Sequence, residues 1–279
     1  MSKIPDISHY HPVSDWAKVK ANCSFLISKA TQGISYIDPT LDSFIKGCEA
    51  NKIPYYLYVY LNKGDELLQA KYMVSVCKSK VGSYFRGYAL DVEAGNSATN
   101  VKNALDYICN QSPKALLYTM YSQYDKYKAV ITSRPSNCAW WEARYGANNG
   151  SYSATYPCHT GVDLHQYTSK GTCSGVSGSS VDLNRVSGAK PLSWFTDGVK
   201  TATASTTTKT TVSYYSKYSG KSVRIDTIFK AIGVPAKYRG TYKKRLPVAK
   251  KNGISNYTGT AAQNKKLIDL AKKGKLVKA

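Results

Sequence analysis

Two acidic residues one position apart, Asp91 and Glu93, follow a short apolar run and are the first candidates for chemistry in this sequence. Side chains alternate between the two faces of a β-strand, so both carboxyl groups point to the same side. Like charges held that close oppose each other's ionisation, which raises one pKa and leaves a carboxylic acid able to donate a proton. Cleavage of a glycosidic bond requires such an acid beside a second carboxyl group. A solvated strand end is the alternative interpretation of the pair taken alone.

A series of short apolar runs in residues 1–197 predicts the elements that position this pair. The runs are typical of β-strands at 4–7, 25–28, 55–60, 88–92, 115–119, 139–143, 162–167 and 181–186. Apolar residues at helical spacing lie between several of them, as at 68–77 and 101–109. About eight strands alternating with helices predict an α/β fold, an irregular TIM-like β/α barrel with helices missing near its end.

Acidic residues close three of these predicted strands. Asp6 ends the first strand, Asp91 and Glu93 end the fourth, and Asp182 ends the eighth. The C-terminal ends of barrel strands meet at one mouth, so the fold would bring the four carboxyl groups together. Four convergent acids predict an active site at this mouth.

The charge of the chain is concentrated in its C-terminal part. The 279 residues carry a net charge of +22, and the residues from 198 onward include 19 basic and two acidic side chains. Such a field attracts polyanions: nucleic acid, an anionic membrane, or a bacterial wall that bears teichoic acids. No apolar run is long enough to span a bilayer, so we expect no membrane span.

A tract of small hydroxyl residues separates the basic part from the predicted barrel. Residues 200–211 read KTATASTTTKTT, a composition that cannot bury apolar surface and is typical of a flexible linker. Beyond it, amphipathic patterns at 225–232 and 267–271 predict a small, mainly helical domain. The predicted organisation is a barrel domain over 1–197, a linker over 198–211 and a basic module over 212–279.

The seven cysteines follow no zinc-binding pattern, because no two of them lie two to four residues apart. An odd number leaves at least one thiol unpaired. Most are flanked by apolar residues and are expected to fill the core. Cys109–Cys138 and Cys158–Cys173 are the pairs that we consider for disulfide bridges, and the sequence does not decide between bridged and free thiols.

Six short motifs occur in an order that carries a family resemblance. They are DIS at 6–8, KATQG at 29–33, LDVE at 90–93, WEARY at 141–145, HQY at 165–167 and VDLN at 181–184. Together they resemble the Chalaropsis-type lysozymes, glycoside hydrolase family 25, over residues 3–197. Members of that family have an irregular β/α barrel and cleave the β-1,4 bond between N-acetylmuramic acid and N-acetylglucosamine.

The resemblance implies a role for each acid at the mouth. Glu93 would be the general acid, with Asp6, Asp91 and Asp182 completing an acidic cluster. Asp182 or Asp91 would orient the 2-acetamido group of the sugar as it attacks the anomeric carbon. An aspartate that acts directly as nucleophile is the alternative.

Aromatic and polar residues of the same motifs and strand ends are candidates for substrate binding. The aromatic ones would offer stacking faces and hydroxyl groups to sugar rings, with core packing as the alternative for each. The arginine would bind a muramyl carboxylate or form a surface ion pair. These candidates are Tyr60, Tyr118, Trp141, Arg144, Tyr145 and Gln166.

Two motifs in the C-terminal segment carry a second resemblance, YYSKY at 214–218 and NGISNYTGTAAQN at 252–264. They are similar to the C-terminal modules of clostridial and phage wall lysins, which implies a wall-anchoring role for residues 212–279. The basic residues of this segment would contact teichoic acid phosphates or peptidoglycan carboxylates, with a solvated cationic surface as the alternative. The residues considered are Lys237, Arg239, Lys243, Lys244, Arg245, Lys250 and Lys251. No recognised nucleic-acid motif is present, so we expect no nucleic-acid partner.

The predicted function is therefore a peptidoglycan hydrolase, an N-acetylmuramidase of the endolysin type that needs no metal or cofactor. A catalytically silent wall-binding or nucleic-acid-binding protein on the same scaffold is the rival interpretation. The N-terminus lacks the charged and apolar regions of a secretion signal. This favours a phage lysin that stays in the host cytoplasm until release, with a secreted enzyme that has lost its signal as the alternative.

Overall fold

The computed structural model describes residues 2–188, 190–198, 213–254 and 257–278. These residues divide into two units, one within Met1–Thr201 and one within Ala202–Ala279. The hydroxyl-rich tract at 200–211, predicted to be a linker, lies outside the described residues.

Nine strands of the first unit form one sheet within the described residues. In chain order they are β1 (Ile4–Ile7), β2 (Leu26–Gln32), β3 (Tyr36–Ile37), β4 (Tyr55–Tyr60), β5 (Phe85–Val92), β6 (Lys114–Met120), β7 (Cys138–Ala143), β8 (Leu164–Gly171) and β9 (Val181–Val186). Neighbours pair in the order β1-β9-β8-β7-β6-β5-β4-β2-β3, and an added pairing of β1 with β2 closes eight of them into a barrel. The two-residue β3 lies outside the ring.

The barrel is parallel except at one seam. Strands β1, β2 and β4–β8 run in the same direction, whereas β9 is antiparallel to both β8 and β1. The sequence pattern predicted the barrel and the first, third and eighth strands with the observed bounds. The direction of β9 was not predicted, since the length of a connection does not by itself fix the direction of the next strand.

Helices cover the outside of the barrel between the parallel strands. They are α1 (Trp16–Asn22), α2 (Leu41–Asn51), α3 (Glu66–Cys77), α4 (Ala98–Gln111) and α5 (Tyr124–Thr132). Residues 144–163 connect β7 to β8 without a helix, and β8 and β9 are also joined without one. The expectation that helices are missing near the end of the barrel is therefore confirmed.

Strand alternation divides the apolar residues into two clusters. In β5, Tyr88, Leu90 and Val92 face the helices, and the intervening Ala89 faces the barrel interior. The interior cluster contains Phe25 and the indole of Trp141. The short helix α6 (Leu192–Thr196) adds Phe195, whose ring stacks on Phe25 at a centroid distance of 5.4 Å. Because Phe25 precedes β2, this contact fills the end of the barrel opposite the predicted active site.

The cysteines of the first unit are free thiols. The Sγ atoms of Cys23 and Cys173 lie 3.2 Å apart, so Cys173 faces Cys23 rather than Cys158. Cys138 is hydrogen-bonded to Cys109, the other pair that we considered. The bridge considered between Cys158 and Cys173 is therefore wrong for this structure.

The second unit has its own small core. Three helices, α7 (Ile225–Ala231), α8 (Tyr242–Lys251) and α9 (Ala261–Lys272), surround buried residues that include Phe229, Val248 and Leu267. Helix α9 begins with a capping box formed by Thr260 and Gln263. None of the helices in the described residues of either unit is long and apolar enough to cross a membrane.

The sequence pattern missed helix α8, and the structure changes the role of one residue in it. Pro247 lies inside the helix and removes a backbone donor, which argues against a helix from sequence alone. Burial of the apolar side chains of Val248 and Ala249 offsets the loss of that backbone hydrogen bond. Arg245, which we expected to face an anionic partner, is 7% exposed and donates to the Tyr257 hydroxyl at 2.9 Å and to Asp226 at 3.2 Å. It is therefore a structural residue and not part of the basic surface.

Candidate active site

The four predicted acids lie at one end of the barrel. Asp6, Asp91 and Glu93 are at or just beyond the C-terminal ends of β1 and β5. Asp182 is at the start of β9 and not at its end as predicted, and it reaches the same mouth because β9 is antiparallel to its neighbours. Asp91 is two positions from the inward-facing Ala89, and Glu93 is two positions beyond Asp91. Asp6 and Asp182 are directly opposite each other in the antiparallel pairing of β1 with β9. Alternation along each strand therefore points all four carboxyl groups into one mouth.

Asp6 is fixed at the base of the site by two amide side chains. It is 6% exposed, and its carboxylate accepts hydrogen bonds from Gln166 Nε2 at 3.0 and 3.1 Å and from Asn184 Nδ2 at 2.7 Å. Both amides come from neighbouring strands, β8 and β9, which pair at these two residues. Strand β9 thus carries the acid Asp182 and also Asn184, which donates a hydrogen bond to Asp6.

The amide oxygens of these residues extend the network to the aromatic candidates. Gln166 Oε1 accepts from the Tyr118 hydroxyl at 3.1 Å and from the Tyr145 hydroxyl at 2.7 Å. Asn184 Oδ1 accepts from Trp141 Nε1 at 2.7 Å. These bonds orient both amides so that their NH₂ groups face Asp6, which favours an ionised carboxylate there.

Asp6 and Asp182 have raised pKa values. Burial raises the pKa of Asp182 to about 8, and the nearby Asp6 and Glu93 carboxyl groups add to the effect. Burial likewise raises the pKa of Asp6 to about 6, although its hydrogen bonds from Gln166 and Asn184 oppose this. Asp182 therefore keeps its proton to higher pH than Asp6 does.

The charge of Lys29 acts on both Asp91 and Glu93, and the charge of Glu93 also acts on Asp91. Burial raises the pKa of Asp91 well above its usual range, and the charge of Glu93 raises it further. The pKa of Glu93 is raised by burial and lowered by Lys29 and by a hydrogen bond with Tyr60. Asp91 Oδ1 is buried and has no hydrogen-bond partner in the part of the chain that the structure describes. A protonated carboxyl group is therefore favoured within this pair.

The backbone that carries Glu93 is held by the loops around it. Gly95 has φ of +75°, a left-handed conformation that suits glycine, and lets the chain turn away after Glu93. Gln123 Nε2 donates to the main-chain oxygen of Glu93 at 3.2 Å. The buried Asn96 donates to the main-chain oxygens of Leu61 and Asn62, both at 3.0 Å. The loop after β5 is thereby fastened to the loop after β4, which follows Tyr60.

The predicted binding residues occupy different depths in this site. Tyr118 and Trp141 are 5% and 2% exposed and pack edge to face at 4.6 Å, so both form the base of the site. Tyr60 and Tyr145 are partly exposed above them. Arg144 lies over the ring of Tyr121 at 3.8 Å and donates to the Pro157 oxygen. Contact of any of these residues with a sugar stays a prediction.

Four residues of the site were not among our candidates. Asn184 and Lys29 lie within the VDLN and KATQG motifs, at strand positions with the same inward parity as Asp182 and Ile27. Parity alone could have identified both. Tyr58 follows the same rule, with the ammonium group of Lys29 over its ring at 5.9 Å. Gln123 lies on a short 3₁₀ turn after β6, and no sequence signal would have identified it.

The arrangement favours proton transfer and charge stabilisation by side chains. Within the described ranges, no group of three or more His, Cys, Asp and Glu residues is placed to hold a metal ion. A site that combines the hydrogen-bonded Asp6 carboxylate, acids of raised pKa on or just after β5 and β9, and partly exposed tyrosines can protonate a leaving oxygen and stabilise positive charge.

Comparisons with known sequences agree with this geometry. The profile described as glycosyl hydrolases family 25 matches residues 5–176. Over 165 residues the chain is 30% identical to the autolytic lysozyme of Clostridium acetobutylicum. That match covers 57% of this chain and 47% of the relative, so the chain spans about half the length of that protein.

Solved structures show the same fold. The catalytic domain of endolysin ply40 from bacteriophage P40 of Listeria monocytogenes is 26% identical, with a TM-score of 0.57 over 67% of this chain and 93% of that domain. The bacterial lysozyme from Streptomyces coelicolor is 21% identical, with a TM-score of 0.55 over 70% of this chain and 96% of that one, and supports the fold alone. Since the family profile matches more than half of its length, this chain belongs to glycosyl hydrolase family 25.

Proposed function

We propose that this chain is a peptidoglycan hydrolase, an N-acetylmuramidase that cleaves the β-1,4 bond between N-acetylmuramic acid and N-acetylglucosamine. The observation that carries the proposal is the convergence of Asp6, Asp91, Glu93 and Asp182 on one barrel mouth, where burial raises the pKa of each. The likeness to an autolytic lysozyme and to the catalytic domain of an endolysin supports this substrate class.

Glu93 is the proposed general acid. It is less buried than Asp91, carries a raised pKa and is oriented by the Tyr60 hydroxyl, so it can meet a glycosidic oxygen while protonated. As the bond breaks, positive charge develops at the anomeric carbon, and the ionised Asp6 contributes negative potential from below. Asp182 or Asp91 would hold the 2-acetamido group for internal attack, with direct attack by an aspartate as the alternative.

Replacing Glu93 by Gln tests the acid assignment. The amide keeps the shape but has no proton to transfer, so we expect the rate to fall about 10²- to 10⁴-fold with wall binding retained. Asp125→Asn, an exposed acid on α5, is the matched control and should keep full activity. A Glu93→Gln variant with the wild-type rate would remove Glu93 from this role.

The products identify the bond that is cleaved. Purified peptidoglycan is digested, the fragments are reduced with borohydride, and their ends are read by mass spectrometry. Reduced N-acetylmuramic acid ends are expected. Reduced N-acetylglucosamine ends would mean that the other glycosidic bond is cut, and free peptides with intact glycan would indicate an amidase. The absence of any fragments would favour a binding protein on the same scaffold.

We also propose that the second unit anchors the enzyme to the wall. Of the seven basic residues predicted to contact the wall, five lysines are exposed, and their charge would attract teichoic acid phosphates. They are Lys237, Lys243, Lys244, Lys250 and Lys251. The enzyme would then act at the bacterial wall, reached either from the host cytoplasm on phage release, as an endolysin is, or by secretion.

A further inference from the structure

An exposed tyrosine ring and a half-buried histidine ring follow the strand that carries Asp6, and they have no role in the chemistry proposed above. Tyr10 is 73% exposed, the second most exposed of the large apolar or aromatic side chains in the described residues. Its ring lies against the ring of His9 at a centroid distance of 3.9 Å. A tyrosine that exposed contributes little to the core, so core packing does not account for its ordered position.

The rings are held in place by a buried carboxylate. Asp38 is 1% exposed, and its Oδ2 accepts from the His9 backbone N–H at 3.1 Å and lies 3.0 Å from His9 Nδ1. The Tyr36 hydroxyl is 3.1 Å from the same Nδ1. Asp38 Oδ1 accepts from the backbone and hydroxyl of Thr40. Asp38 and Tyr36 thus fix the position of the His9 ring, and the ring of Tyr10 packs against it.

This aromatic platform, defined as His9, Tyr10 and Tyr36, is continuous with the acidic site. His9 and Tyr10 follow the C-terminal end of β1, which carries Asp6, and Tyr36 lies on β3 opposite Gln32. The side chain of Gln32 contacts Lys29 at 3.3 Å, and the Lys29 ammonium lies over the Tyr60 ring at 5.2 Å. A chain of contacts therefore runs from the platform to the residues around Glu93.

The chemistry of the platform fits a sugar ring. A pyranose presents an apolar face of C–H groups with polar hydroxyl and acetamido groups at its edge, and an open tyrosine ring with a neighbouring imidazole and hydroxyl matches both. Ile34 and Ile37, 53% and 43% exposed, extend the apolar surface along the same hairpin. Exposed apolar surface next to a catalytic mouth is typical of a ligand-binding groove.

We propose that this platform is an outer subsite, where Tyr10 stacks against an N-acetylated sugar of the glycan strand beyond the bond that is cleaved. The inference rests on the proposed glycan-cleaving function. It predicts that the platform contributes to the affinity for long strands and leaves the chemical step unchanged.

The test compares two substrate lengths in the full chain. Soluble strands of alternating N-acetylglucosamine and N-acetylmuramic acid are prepared as tetrasaccharides and octasaccharides. For Tyr10→Ala we expect KM for the octasaccharide to rise about three- to tenfold, the range that one aromatic stacking contact supplies. The kcat values and the tetrasaccharide KM should stay unchanged. Tyr10→Trp, which restores an aromatic face, should recover the octasaccharide KM.

A control variant tests whether the effect is specific to Tyr10. Sedimentation tests whether Tyr10 instead mediates contact between two copies of the chain. Tyr72→Ala, on the outer helix α3, should behave as wild type with both substrates. An unchanged octasaccharide KM in Tyr10→Ala overturns the proposal, and so does an equal loss on both lengths, which would place Tyr10 at the cleaved bond. A change in sedimentation on removing Tyr10 would instead assign the ring to contact between copies. If the wild-type chain cleaves neither substrate, the proposed function itself fails.

Discussion

At the scale of single residues, the site depends on which of its four carboxyl groups are protonated. Burial raises the pKa of each, whereas Lys29 lowers the pKa of Asp91 and Glu93 and two amides lower that of Asp6. One cation and two amides therefore set the protonation pattern. This pattern yields testable changes in the pH dependence of both rate and stability.

Lys29→Met should move the alkaline limb of kcat/KM. Without the positive charge the pKa of Glu93 rises further, so the acid keeps its proton to higher pH and the limb moves upward by about one pH unit. Lys63→Met, an exposed lysine near Gly95, is the matched control and should leave the limb in place. A downward movement in the Lys29 variant would contradict the assigned protonation states.

Asp182→Asn should stabilise the fold in a pH-dependent way. The folded pKa of about 8 is above the unfolded value of 3.8, so the wild-type chain carries no penalty below pH 4 and loses stability as pH rises through 8. Urea unfolding should show a gain of about 2 kcal/mol at pH 8 and little gain at pH 4, after discounting for partial solvation. A gain of equal size at both pH values would mean that ionisation is not its source.

At the scale of elements, the strands position the site and the loops lock it. The apolar runs predicted the seven parallel barrel strands because a buried parallel strand leaves a continuous apolar signal, and they also predicted the antiparallel β9. The ends of β2 and β8 were placed too early, since their last residues, such as Lys29 and Thr168, are polar and turn inward or bind loop groups. Loop contacts such as that of Gln123 could not be predicted, because they join segments distant in sequence.

Asn96→Ala tests one of these loop locks. The buried amide of Asn96 joins Leu61, Asn62 and Glu66 to the loop after β5, so its loss leaves unpaired polar groups inside the protein. We expect a loss of about 2 kcal/mol in the free energy of unfolding. Asn100→Ala, which removes an exposed bond to the Gly64 oxygen, should cost less than about 0.5 kcal/mol. Equal losses in the two variants would show that burial at Asn96 is not decisive.

At the scale of the whole molecule, charge is divided unequally along the chain. Residues from 198 onward hold 19 of the 39 basic side chains but two of the 17 acids. The acidic mouth lies in the first unit and the exposed lysines of α8 in the second. The proposed division of labour places cleavage in one unit and retention on an anionic wall in the other.

Replacing Lys243, Lys244, Lys250 and Lys251 by Gln should weaken binding to purified cell walls. We expect the loss to be largest at low salt and to shrink as salt screens the wild-type interaction. Rates on a soluble tetrasaccharide should not change. The same replacement at Lys20, Lys46, Lys71 and Lys78, exposed lysines of the first unit, is the control. If the wild type, this variant and the control variant bind walls equally at every salt concentration, the second unit does not anchor the enzyme through these lysines.

The closure of the barrel at β9 determines when the acid cluster can form during synthesis and folding. Asp6 belongs to the first strand and receives its bonds from Gln166 and Asn184, which are 160 and 178 positions later in the chain. Contacts of such long range form late in folding, after the cost of closing a large loop has been met. A growing chain on the ribosome therefore has no assembled acid cluster until β9 has emerged. The proposed lytic activity therefore begins only after β9 has been synthesised.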